Sequence, residues 1–209
     1  ALIKDQNKQV VQKLSKQFQL NGPMDKLEET KRNPLLFYGE AELPSGKYEI
    51  DIAAYDTPSS KATVQHSTID VAAEGESKLS LSSVIIVQNA AKATEAQKAN
   101  NLFVVNDLLL FPNLGEAIHK GTTKQFSFYF VVRPAKGGTA PTALLEILQK
   151  GQALAQLPLP LPAADASGRM QIASSLPTEG FPAGTYEMRV TVQDGQSKVS
   201  RSANFTIEQ

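Results

Sequence analysis

One stretch of this chain occurs twice. Leu43-Pro44-Ser45-Gly46-Lys47-Tyr48-Glu49-Ile50 returns as Phe181-Pro182-Ala183-Gly184-Thr185-Tyr186-Glu187-Met188, at a constant offset of 138 positions. The correspondence runs on without a gap through Asp56 and Asp194, then Ser59 and Ser197, to Ile69 and Ile207. A repeat held at one spacing marks two structural units of one kind. Whatever one copy folds into, the other is expected to match.

The local chemistry says what each copy is. Proline fixes its own φ and opens a turn, glycine admits a backbone conformation that other residues avoid, and the tyrosine two positions on begins an alternating run. Tyr48, Ile50, Ile52 and Ala54 fall on one face of the first strand, and Tyr186, Met188, Val190 and Val192 on one face of the second. Each strand meets a polar turn, Asp56 to Ser60 or Asp194 to Ser197, and a further strand follows. Each copy is therefore a hairpin closing a domain. A tyrosine at the head of such a strand suggests the tyrosine corner of Greek-key sandwiches, whose hydroxyl bonds back to the preceding loop. The plain alternative is a half-buried tyrosine with its hydroxyl in water, but recurrence at the same place favours the corner. Its residues are Pro44, Gly46 and Tyr48 in one copy and Pro182, Gly184 and Tyr186 in the other.

Around the first hairpin the chain is thin in strands. Ala1 to Leu20 reads as a strand with Leu14, Phe18 and Leu20 on one face, Met24 to Arg32 as one or two helical turns, Leu35 to Glu42 as a short strand, and Ala62 to Val71 as the last strand. Four strands are too few for a sandwich that needs about seven. Residues 1–74 are thus expected to form a partial module, completed by upstream chain or by a protein partner that adds a strand. That the first residue is Ala rather than Met agrees with a piece of something longer.

Residues 75–209 are expected to form a complete sandwich of about eight strands. Leu79 to Gln88 opens it, Asn106 to Phe111 follows, and Gln125 to Arg133 gives the strongest signal, with Phe126, Phe128, Phe130 and Val132 on one side. A hairpin about Lys150-Gly151, a strand over Arg169 to Ser174 and the second repeat hairpin complete it. Asn89 to Asn101 has no apolar stripe and reads as a loop. The fold class is all-β, two tandem immunoglobulin- or fibronectin-III-like sandwiches.

Little in the chain speaks for catalysis. Basic and acidic side chains balance at 21 each, so no global field draws it to nucleic acid or an anionic membrane. There is no cysteine, and no apolar run approaches the roughly 20 residues that span a bilayer. His66 and His119 stand alone, without zinc or triad spacing, and read as sheet-face and loop residues. Gly137-Gly138 lies between prolines as a turn rather than a phosphate loop. Asp165-Ala166-Ser167-Gly168 is superficially like the Asp-x-Ser-x-Ser metal motif of von Willebrand A domains, but the second serine is missing and a turn explains it. Leu157-Pro158-Leu159-Pro160-Leu161-Pro162 could dock as polyproline II; without a flanking Arg or Lys it reads instead as a stiff connector. No cofactor, metal or catalytic residue is assigned.

Asn21-Gly22-Pro23-Met24, Asn33-Pro34-Leu35-Leu36-Phe37-Tyr38, Leu43-Pro44-x-Gly46-x-Tyr48, Leu81-Ser82-Ser83-Val84, Pro112-Asn113-Leu114-Gly115 and Phe128-x-Phe130-Val131-Val132 together resemble one family. They are similar, in order and spacing over nearly the whole chain, to the C-terminal region of bacterial VWFA-related domain proteins, mainly acidobacterial. The resemblance implies export to the periplasm, cell surface or medium and a von Willebrand A-like neighbour upstream, and carries no activity or functional residues. The expected function is a non-catalytic scaffold, assembly or adhesion module, whose partner could also be a further copy in an oligomer or filament. The alternative is a glycan-type ligand module using Asn89 to Asn101 and Pro134 to Pro141 of the second sandwich.

Overall fold

The computed structural model describes residues 1–17, 23, 25, 39–71, 78–98, 103–195 and 197–209. The chain divides into two compact units, Ala1–Gly75 and Glu76–Gln209. It is all-β in character, built from several antiparallel sheets, with a single helical turn among the described residues.

Unit 1 contains β1 (Leu2–Lys4), β2 (Val10–Lys13), β3 (Gly46–Asp56) and β4 (Lys61–Val71), paired antiparallel in the order β2-β1-β3-β4. The long strand expected from Ala1 to Leu20 is instead the hairpin β1–β2. Asp5 breaks it: its Oδ1 accepts the backbone N–H of Asn7 and of Gln9, and Lys8 takes a φ of +63°. Leu14 to Gln17 continue without strand structure, and Phe18 and Leu20 lie outside the described residues. So do Leu35 to Tyr38 of the strand expected over Leu35 to Glu42, while Gly39 to Glu42 carry no strand. The helical turns expected over Met24 to Arg32 also lie outside, Asp25 excepted. The first repeat is the hairpin β3–β4, its turn closed by Ser60 N–H donating to Thr57 O and by the Ser59 hydroxyl on Asp56.

Unit 2 contains β5 (Ser80–Leu81), β6 (Ile85–Lys92), α1 (Glu95–Lys98), β7 (Val104–Val105), β8 (Leu108–Pro112), β9 (Ile118–His119), β10 (Gln125–Arg133), β11 (Thr142–Gln149), β12 (Gln152–Leu159), β13 (Met170–Pro177), β14 (Gly184–Asp194) and β15 (Ser197–Glu208). One sheet runs β13-β10-β6-β8-β7, with β5 also on β10; the other runs β12-β11-β14-β15-β9. One core joins them as a β-sandwich: Phe126, Phe128, Phe130 and Val132 of β10 meet Leu145, Ile147, Tyr186, Met188, Val190 and Val192. Period-two alternation dictates this, since every second side chain of a strand shares a face. The other side of β10 is covered too, with Tyr129 packed among Val87, Val105 and Leu110.

Four expectations for this unit change. The strand expected from Asn106 to Phe111 begins only at Leu108, because Asn106 and Asp107 take positive φ and form the turn that joins β7 to β8. The opening strand splits at Ser82, whose backbone N–H and hydroxyl both pair with Val131, and resumes as β6. Asn89 to Lys92 are not loop: β6 leaves β10 after Val87 and crosses to β8, pairing Asn89 with Phe111 and Lys92 with Leu108, before α1. Polarity concealed this, because the outward side of that segment is exposed. Leu157 to Leu159 are not a connector but the end of β12, where Pro158 stands opposite Leu144 on an edge strand. Such an edge tolerates a residue with no N–H.

The two units share more than a hairpin. The order β2-β1-β3-β4 repeats as β12-β11-β14-β15, so β1 stands where β11 stands. Unit 1 therefore presents one sheet of the sandwich; a second sheet over it is absent among its described residues.

Candidate functional site

Both tyrosines bond back into the turn that launches their strand. The Tyr48 hydroxyl donates to the Pro44 carbonyl at 2.8 Å, and the Tyr186 hydroxyl to the Pro182 carbonyl at 2.7 Å. Gly46 and Gly184 sit between turn and strand with φ of +158° and +152°. Proline, glycine and tyrosine are brought together identically in the two copies, because the turn is local in sequence. Their surroundings differ. Tyr186 is 1% exposed, edge-on to Phe181 at 5.3 Å and stacked with Phe205 at 5.4 Å. Tyr48 is 7% exposed.

Beyond the corner the copies diverge sharply. Val190 and Ile207 are 0% exposed, whereas their counterparts Ile52 and Ile69 are each 43% exposed. Tyr55 and Val64, 65% and 56% exposed, lie on the other face, where their counterparts Gln193 and Ser202 are exposed as well. Identical patterning thus yields a buried face in one unit and an open one in the other. Ile52, Ala54 and Ile69 stand in solvent where their unit 2 counterparts Val190, Val192 and Ile207 are buried.

The opposite face of the unit 1 sheet is polar. Asp51 accepts from the Lys4 ammonium and lies 2.6 Å from His66 Nδ1, and Lys8 reaches Glu49. The Lys4 hydrogen bond first, then that of His66, holds the Asp51 carboxyl below its ordinary range. His66 is largely exposed, so this is a solvated charge ladder rather than a ligand set.

His119 lies elsewhere. It belongs to β9, pairs in parallel with Glu208, and holds Nδ1 3.6 Å from that carboxylate. It lines an open cleft of about 630 Å³ where β6 parts from β10. Gln88, Asn89, Asn113, Glu116 and Gln125 supply its polar wall, over Ile118 and Phe126. Gln88 Nε2 donates to Glu116, and Asn113 Nδ2 donates to the Glu116 carbonyl at 2.9 Å. This arrangement offers amides, a carboxylate and an imidazole to a polar ligand. The sequence concealed it because β9 is only two residues long and the strand divergence is a tertiary event.

Asp165 closes a turn. Its Oδ1 accepts the Ser167 hydroxyl at 2.7 Å and the N–H groups of Ser167 and Arg169 at 2.9 Å, and Gly168 takes a φ of +74°. The Ser167 hydroxyl foremost, then the Arg169 N–H, pulls the carboxyl well below the usual range. Among the described residues no group of three or more His, Cys, Asp or Glu is placed to hold a metal ion. Asp194, read in the sequence as a polar turn residue, is buried at 6% exposed, and among the described residues its Oδ2, against Gly138, has no hydrogen-bond partner. No described helix is long and apolar enough to cross a membrane.

No family model matches this chain, and no curated protein is similar to it in sequence. Among solved structures it is similar to an engineered protein, at 13% identity and a TM-score of 0.31, over 46% of this chain and 18% of that one. A likeness at that level carries no argument about fold or function.

Proposed function

We propose that this protein is a non-catalytic assembly module, two immunoglobulin- or fibronectin-III-like units in tandem, working in an exported, cell-surface or extracellular structure. One observation carries the reading: on the apolar face of the repeated hairpin, Val190 and Ile207 are 0% exposed in unit 2, whereas their counterparts Ile52 and Ile69 are 43% exposed in unit 1. Burying apolar area is worth roughly 25 cal/mol per Å², so a sheet that leaves its patterned face in water favours a partner that covers it. Placement outside the cytoplasm rests on the sequence resemblance to VWFA-related proteins. The test is the size of the native particle. Wild type is expected to migrate as part of a larger assembly, and an Ile52→Asp/Ile69→Asp variant as free chain with unit 2 intact. Wild type migrating as a monomer, with unit 1 already protected from hydrogen exchange, would remove the reading.

A second reading is favoured by the cleft at Gln88, Glu116 and His119: a module binding a polar ligand such as a glycan. This differs from the expectation for Asn89 to Asn101, whose first residues are strand. Titration with a panel of neutral oligosaccharides tests it. Binding abolished by Glu116→Ala supports it, and heats of dilution only across the panel remove it.

A further inference from the structure

We propose that unit 2 carries a binding site for a small hard cation, calcium, where the tip of the β14–β15 hairpin meets the loop between β10 and β11, with the Asp194 carboxylate as its charged ligand. The site goes beyond the assembly reading and does not depend on it, because every residue it uses belongs to unit 2.

The repeat shows what is unusual about Asp194. In unit 1 its counterpart Asp56 is exposed, and the Ser59 hydroxyl donates to the Asp56 carboxylate. Ser197 is the counterpart of Ser59, but it sits differently. The β3–β4 turn holds four residues between Asp56 and Lys61, whereas the β14–β15 turn holds two, so Ser197 becomes the ladder partner of Asp194. Asp194 is left 6% exposed, with Oδ2 fully enclosed and without a hydrogen bond among the described residues. None of the ion pairs of the described residues includes it. A charge removed from water without a partner is strongly unfavourable, so this carboxylate calls for a species that neutralises it.

The loop opposite supplies further oxygens. Within Pro134 to Pro141 the Gly138 N–H donates to the Ala135 carbonyl at 3.1 Å, and Gly137 takes a φ of +73°, closing a tight turn. A Cβ added at Gly138 would lie 3.3 Å from the Ala135 carbonyl oxygen and 3.4 Å from Asp194 Oδ2. Two oxygens, one of them anionic, therefore flank a place that a side chain would crowd. A third, the Thr139 hydroxyl, lies 3.3 Å from the corresponding position on Gly195, the residue after Asp194. All three donors are hard oxygens, a set that suits calcium or magnesium rather than zinc or copper. Calcium accepts about six to eight oxygens in irregular arrangements, water included, whereas magnesium demands a near-ideal octahedron. A single carboxylate and an irregular turn thus favour calcium, in the weak range of roughly 10⁻⁴–10⁻³ M.

The test is a calcium titration of the whole protein at fixed ionic strength, followed by amide NMR, with magnesium as the comparison cation. The expected result is a saturable shift of the Ala135 to Thr139 and Gly195 amides, half complete at roughly 10⁻⁴–10⁻³ M calcium and at least about tenfold weaker with magnesium. Two variants separate charge from space. Asp194→Asn keeps the shape and should abolish the saturable shift. Gly138→Ala keeps the carboxylate but sets a methyl group between the oxygens, and should weaken calcium binding by about tenfold or more. Asp56→Asn should leave the titration unchanged. If Asp194→Asn does not fold, wild type and Gly138→Ala still decide the matter. Wild-type amides that do not saturate by about 10 mM calcium would overturn the site. So would shifts confined to exposed carboxylates elsewhere, or a titration that neither variant alters, since both mean an adventitious ion only.

Discussion

The two tyrosine corners offer an internal control, because one local motif sits in two environments. Consider Tyr186. Replacing it with phenylalanine deletes the 2.7 Å hydrogen bond to the Pro182 carbonyl and nothing else. Pro182 is exposed, so its carbonyl regains water rather than becoming a buried orphan. The cost should then be that of an ordinary net hydrogen bond, about 1 kcal/mol, instead of the roughly 1–3 of an unsatisfied buried group. Replacing Tyr186 with alanine removes a ring that is 1% exposed and lies between Phe181 and Phe205. A cavity in such surroundings costs about 3–5 kcal/mol. The same change at Tyr48 empties a site whose strand is open one turn further on, and about 1–2 kcal/mol is expected there. Urea unfolding followed by circular dichroism gives the free energies, and for a unit of this size each kcal/mol moves Tm by about 3–6 °C. A phenylalanine variant as damaging as the alanine variant would refute the division between hydroxyl and ring. Equal losses at Tyr48 and Tyr186 would refute the claim that unit 1 lacks its cover.

Gly184→Ala should destabilise unit 2 by about 1–3 kcal/mol, since it forces an L-residue to a φ of +152° and sets Cβ 2.8 Å from Gln149 Nε2; an unchanged urea midpoint would show the turn to be permissive. Asp165 gives a pH prediction. Its carboxyl is depressed in the fold, so the stability it contributes is fully present above the unfolded-state value of roughly 4 and is lost as pH falls through the folded value. In an NMR titration the amides of Ser167 and Arg169 should stay put through pH 4 and move only well below it, and movement centred near 4 would contradict the hydrogen-bond geometry. Ser167→Ala should bring that titration back toward the ordinary range, because the hydroxyl is the foremost cause of the depression.

Much of this was legible from the residues, and the parts that were not share a cause. The strands of β10, β14 and β15 declare themselves by alternation, and the corner motif by a proline, a glycine and a tyrosine within five positions. Short elements did not: β1, β2, β7 and β9 have two to four residues each, too few for a period to emerge. The hairpin turn at Asn106-Asp107, both at positive φ, was written in residues that favour that conformation and could have been found. The cleft beside His119 could not, since it exists only because β6 abandons one strand for another.

What the sequence determined by itself is the duplicated hairpin and the side chains destined for an interior, since backbone sterics and a period of two act over a few residues. Whether those side chains are enclosed was decided by tertiary structure alone. Ile52 and Val190 occupy one place in one motif, and the difference between half-exposed and buried lies in strands many residues away. Burial is a property of what packs against a face, and no local stretch of chain carries that information.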